Sequence, residues 1–154
     1  MAKVDYLDII EKYRKANEER HGAAAPKKHH RDVEHKVQAA CVRWFSLAHA
    51  DDAGLLFAIP NGGRRDRVTA AKLKAEGVVA GVADLMLAVP SANADGTVAH
   101  GLFVEMKTEE KQSRQRQSQK DWESKVKSQG YEYKVVRSLD EFINVVDAWL
   151  RKRS

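Results

Sequence analysis

Ala80-Gly81-Val82-Ala83-Asp84-Leu85-Met86-Leu87-Ala88-Val89 and Leu102-Phe103-Val104-Glu105-Met106-Lys107 decide how this chain is read. Each run is apolar enough for an interior strand, and each holds a carboxylate in its midst. A lone buried carboxylate is strongly unfavourable unless a cation compensates it, and two on neighbouring strands also repel each other. Residues 90–96 between the runs are rich in turn formers, which predicts that strands at roughly 83–89 and 101–107 pair as a hairpin. Glu105 and Lys107 are two apart on one strand, so their side chains share a face, about 7 Å apart at ~3.3 Å rise per residue. From these residues alone two readings stand. A divalent cation between Asp84 and Glu105 removes both penalties, with the Lys107 ammonium beside it. Alternatively, Lys107 forms a structural salt bridge with one of the carboxylates.

Outward from this pair, the apolar periodicity alternates between helix and strand. Upstream, residues 32–49 read as a helix capped by Asp32, with Val33, Val37, Cys41, Trp44 and Ala48 on its apolar face. A short strand at 55–59 runs into Pro60-Asn61-Gly62-Gly63, a strong turn signal. Residues 64–76 can form a basic helix through Arg64, Arg65, Arg67, Lys72 and Lys74, closed by Gly77. Downstream come a helix at 114–129 ending at Gly130, a strand at 131–137 and a final helix. Ser138 and Glu141 form a capping box for that last helix, whose buried face is Phe142, Val145, Val146 and Trp149. The mixed order predicts an α/β sandwich around one sheet. Residues 1–31 stand apart: a helix at 3–20 on Val4, Leu7, Ile10 and Tyr13, then a basic linker, together a packing arm or dimer contact. The main domain is expected at 32–154.

The chain has 154 residues, enough for one compact domain. Its formal net charge of +5 points to an anionic partner, of which nucleic acid is the commonest. The single cysteine, Cys41, excludes an intramolecular disulfide and a multi-cysteine zinc site, and fits a reducing compartment. No apolar run approaches the ~20 residues that cross a bilayer. The first residues lack the apolar segment of a secretory signal, so a cytoplasmic protein with no membrane partner is expected. The six histidines show no metal-binding spacing. Trp44, Trp122 and Trp149 fall on apolar helical stripes and read as core.

Further motifs make the carboxylate pair specific. Gly81-Val82-Ala83-Asp84-Leu85, Phe103-Val104-Glu105-Met106-Lys107 and Gln119-Lys120-Asp121-Trp122 follow one another. Glu34 with Gln38, Ile59-Pro60-Asn61-Gly62-Gly63-Arg64 and Gly130-Tyr131 complete the set. In this combination, over about residues 32–150, the chain resembles the virus-type replication-repair nuclease (VRR-NUC) domain family of the PD-(D/E)XK nuclease superfamily. Ala83 departs from the family by standing where proline usually precedes the aspartate. The stretch from Lys107 to Gln119 is slightly longer than usual.

The resemblance implies a restriction-endonuclease-like α/β core with a central mixed sheet of about four strands. It implies that Asp84 and Glu105 bind Mg²⁺ or Mn²⁺, with the backbone carbonyl of Met106 completing the shell. Glu34 would approach the metal directly or through water, Lys107 is the motif lysine and Gln119 the motif glutamine. A pattern argument also favours Gln119. Gln115, Gln119, Trp122 and Val126 form one helical stripe, so Gln119 faces the sheet one turn before Trp122. For DNA contact the candidates are Asn61, Gly62, Arg64, Arg65 and Arg67 after the turn, and Lys111, Arg114, Arg116 and Lys120 as a second basic patch. The function expected is metal-dependent hydrolysis of DNA phosphodiester bonds, on branched substrates such as four-way junctions, by a homodimer supplying two active sites. The rivals are a restriction-type or exonucleolytic enzyme on the same fold, and a DNA-binding module without catalysis.

Overall fold

The computed structural model describes residues 30–60, 67–108 and 115–153. The expected helix at 3–20, its linker and the Asn61-Gly62-Gly63 turn lie outside the described residues, as do Arg64, Arg65, Lys111 and Arg114. In chain order the elements are α1 (His30–Ala48), a 3-10 helix (Ala50–Leu55), β1 (Leu56–Ala58), α2 (Arg67–Ala75), β2 (Leu85–Leu87), β3 (Ser91–Ala92) and β4 (Val98–Ala99). β5 (Leu102–Met106), α3 (Gln117–Lys127), β6 (Glu132–Val136) and α4 (Leu139–Leu150) follow. Four strands form one mixed sheet in the order β1-β2-β5-β6. β1 and β5 flank β2 antiparallel, and β6 runs parallel to β5. Antiparallel neighbours need only short connections. The parallel step from β5 to β6 requires a crossover, and α3 makes it.

The anomalous runs pair as expected, with Leu85 opposite Val104 and Leu87 opposite Leu102. Their connection differs from a plain turn. β3 and β4 pair as a small separate ribbon, Ser91 opposite Ala99 and Ala92 opposite Val98. Asp95 closes its tip by accepting from the Thr97 backbone N–H at 3.0 Å and the Thr97 hydroxyl at 2.6 Å.

Strand alternation divides the labour of β5. Leu102, Val104 and Met106 are buried in a core with Cys41, Trp44 and Phe45 of α1 and Phe142, Val146 and Trp149 of α4. Phe45 is fully buried although it was not on the expected face of its helix, because the sheet and α4 enclose that helix over a wider arc than one stripe. The opposite face carries Phe103 and Glu105, and α3 lies over it: the Trp122 ring meets Phe103 edge-on at 4.7 Å and Tyr133 at 6.1 Å. Trp122 is therefore half-buried, whereas Trp44 and Trp149 are core as expected.

Helix ends follow local chemistry with two corrections. α1 is described from His30 onward, so Asp32 lies within the helix and not at its N-cap position. At α4 the Ser138 hydroxyl accepts the Glu141 N–H at 3.2 Å, but the Glu141 carboxylate takes the Arg137 N–H at 2.7 Å. The reciprocal bond of the box thus reaches one residue further out than the sequence pattern implies. Among the described residues, no helix is long and apolar enough to cross a membrane.

Candidate active site

Asp84 sits immediately before β2, where its carbonyl accepts the Ile59 N–H at 2.8 Å and so ties the β1 end to the site. Its carboxylate reaches across to β5, and Oδ2 accepts the Met106 N–H at 2.8 Å. Among the described residues nothing bonds its other oxygen. Glu105 lies on β5 and is 2% exposed. Its Oε1 accepts from Lys107 Nζ at 2.7 Å and from Gln119 Nε2, while Oε2 accepts from the Tyr133 hydroxyl at 3.2 Å. Strand geometry thus places Glu105 and Lys107 on one face, and the lysine stem folds back to close the distance.

Gln119 reaches this cluster from α3 for a definite reason. Its amide oxygen accepts the N–H of Arg116, the residue that caps the helix, at 2.8 Å. That bond satisfies an otherwise orphaned helix-start donor and turns the amide nitrogen toward Glu105. Backbone contact fixes the helix start itself. A Cβ on Gly81 would lie 2.3 Å from the Ser118 carbonyl oxygen, so only glycine permits this approach. The loop carrying Asp84 and the helix carrying Gln119 are therefore docked to each other directly.

Electrostatics show what the cluster lacks. Burial raises the Asp84 carboxyl, opposed by the Met106 N–H and Lys107 and reinforced by the nearby charge of Glu34 on α1. Burial also raises Glu105, and the charge of Asp84 raises it further against Lys107 and Tyr133. Three carboxylates thus act on one region, and among the described residues Lys107 is the cation whose charge offsets Asp84 and Glu105. A divalent cation is the group that the donor set fits: hard oxygen ligands, negative excess and an unbonded Asp84 oxygen. Among the described residues no three His, Cys, Asp or Glu side chains converge as a closed cage. A cation here would be held by the carboxylate pair and water, in the manner of Mg²⁺.

The structure thus assembles Asp84, Glu105, Lys107 and Gln119, sets Glu34 within electrostatic reach, and presents the Met106 N–H to Asp84. Of the DNA-contact candidates, Arg116 and Lys120 are exposed at the start of α3, beside the cluster, and Arg67 opens α2. Tyr133 was not singled out from the sequence. The available signal was the alternation Tyr131, Tyr133, Val135 between the charged Glu132 and Lys134, which puts Tyr133 on a covered face of that strand. A groove of about 440 Å³ lined by Ser91, Leu102, Glu132, Lys134 and Trp149 opens on the opposite face of the sheet and includes none of the carboxylate cluster.

The profile of the VRR-NUC domain matches residues 16–140. A solved structure of a VRR_NUC domain protein superposes with a TM-score of 0.66 at 23% identity, over 79% of this chain and 91% of that one. At that identity the likeness speaks to the fold. No curated protein matches the chain. The four-stranded mixed sheet with flanking helices and the profile agree: the chain belongs to the VRR-NUC domain family, nucleases of the PD-(D/E)XK type.

Proposed function

We propose that this protein is a divalent-metal-dependent DNA endonuclease that acts on branched DNA inside the cell as a homodimer. The observation that carries the reading is the buried pair Asp84 and Glu105, whose carboxyls burial raises and which, among the described residues, Lys107 compensates. Asp84 and Glu105 would hold Mg²⁺ or Mn²⁺, with the Met106 carbonyl and, through water, Glu34 as further donors, and the ion would supply an activated water and neutralise charge on a phosphate oxygen. Lys107 is 12% exposed on a flexible stem, so it can leave Glu105 and offer its ammonium to the charge developing on the phosphate. Gln119, held by the Arg116 N–H, orients Glu105 and the attacking water. Arg116 and Lys120 lie on the exposed start of α3, where a phosphate backbone can reach them. Asn61, Gly62, Arg64, Arg65, Arg67, Lys111 and Arg114 are the further DNA-contact candidates of the sequence, giving salt-dependent affinity without sequence preference.

The branched-substrate reading draws on the family resemblance, and a dimer would place two sites on a symmetric junction. Incubation with Mg²⁺ or Mn²⁺ and four-way junction, flap and linear DNA tests it. Symmetric paired nicks in the junction support it. Degradation from ends replaces it with an exonuclease. DNA binding without cleavage of any substrate under any metal removes the enzyme reading.

A further inference from the structure

Each carboxylate of the pair has one oxygen already taken by a rigid donor from the sheet. On Asp84, Oδ2 is held by the Met106 backbone N–H at 2.8 Å. On Glu105, Oε2 is held by the Tyr133 hydroxyl at 3.2 Å. Tyr133 is 2% exposed, stands on β6 with its residue paired to Phe103, and packs against the Trp122 ring. Its ring is held by the sheet on one side and by the Trp122 ring of α3 on the other. The donors on Glu105 Oε1 differ in kind: the Lys107 ammonium and the Gln119 amide sit on flexible unbranched side chains, and both are less buried than Tyr133. A ligand approaching Glu105 can displace them far more easily than a phenol locked between two strands and a helix.

We infer that Tyr133 is a specificity-determining positioning residue, which holds Glu105 to one-oxygen coordination and so matches the site to small octahedral cations. The inference rests on Asp84 and Glu105 being the ligands of the cation. Mg²⁺ and Mn²⁺ suit single-oxygen carboxylate donors and bound water, whereas Ca²⁺ takes more oxygens and readily accepts both from one carboxylate. With Oδ2 and Oε2 occupied, the pair offers one oxygen each. Without the Tyr133 hydroxyl, Glu105 can turn and offer two.

Calorimetric titration of the full chain with Mn²⁺ and separately with Ca²⁺ reads this directly, with no need for DNA. Tyr133→Phe removes one oxygen atom and keeps the ring. It is expected to weaken Mn²⁺ binding about 10- to 100-fold, the usual effect of losing a partner behind a metal ligand. The Ca²⁺ to Mn²⁺ ratio of Kd should fall about tenfold or more, the range set by that same loss. A core variant, Val146→Ala, serves as the stability control, since lost packing does not alter that ratio. An unchanged ratio in folded Tyr133→Phe, with wild-type Mn²⁺ binding abolished by Asp84→Ala, overturns the inference alone. Mn²⁺ binding that survives Asp84→Ala overturns the ligand assignment and the inference with it.

Discussion

Replacing Gly81 by alanine tests how Asp84 and Gln119 come to share a site. The backbone at Gly81 has φ +88°, a region where an L side chain costs about 1–2 kcal/mol. The new Cβ would also stand 2.3 Å from the Ser118 oxygen, 2.6 Å from its carbonyl carbon and 3.0 Å from the Gln119 nitrogen. These are backbone atoms at the start of α3, with no flexible side chain to give way. Restoring an ordinary 3.4 Å contact requires the loop and helix to part by roughly 1 Å, the difference between 3.4 and 2.3. Forced repacking of this kind costs about 1–3 kcal/mol, giving a total of about 2–5 kcal/mol. For a chain of this size that corresponds to a loss of roughly 4–20 °C in Tm. Gly77 supplies the control. It has φ +96° but nothing within 4 Å of an added Cβ, so Gly77→Ala carries only the conformational part, about 1–2 kcal/mol. Urea denaturation followed by tryptophan fluorescence measures both, and metal-dependent cleavage should fall further in Gly81→Ala because Gln119 is pushed off Glu105. Equal destabilisation by the two substitutions would refute the docking argument.

Other consequences can be checked with similar means. In the metal-free protein, Asp84→Asn should flatten the pH dependence of stability. Burial, reinforced by the charge of Glu34, raises the folded Asp84 above its unfolded value against the opposing Met106 N–H and Lys107, so the folded state binds the extra proton. Wild-type stability from this residue therefore falls as pH rises from the unfolded carboxylate value through the raised folded one. The variant should be more stable than wild type at neutral pH, and a denaturation series from pH 4 to pH 8 that shows parallel curves would contradict this. Cys41 is fully buried, and burial pushes its thiol up to about 12. Iodoacetamide at pH 8 should leave it unmodified in the native protein and label it in urea. Ser138→Ala removes the acceptor for the Glu141 N–H and should destabilise the protein by about 0.5–2 kcal/mol in the same denaturation assay, without altering metal affinity.

The likeness between expected and observed elements has a simple origin. Helix faces such as Cys41, Trp44 and Trp149, and strands such as Leu102–Met106, are written in residue spacings of a few positions, and burial of those faces is what the core then does. The details that went astray depended on neighbours that local spacing does not name. Phe45 is buried because the sheet and α4 close around α1. The 90–99 connection forms a ribbon because its two arms can pair. The outer bond of the Ser138 cap goes to Arg137 because the Glu141 side chain reaches past Ser138.

By itself, the sequence determined that Asp84, Glu105 and Lys107 fall on two apolar strand-forming runs, that Gln119 faces them one turn before Trp122, and that the assembly is a mixed α/β layer. Those conclusions need only side-chain chemistry and the periods of helix and strand. Tertiary structure alone decided that β5 lies between β2 and β6, that Gly81 rests on the start of α3, and which donors occupy which oxygens of Asp84 and Glu105. Those are distances between residues far apart in the chain, set by strand order and helix docking. The Tyr133 hydroxyl lies 28 positions from Glu105 and meets it only because β5 and β6 are neighbours in the sheet.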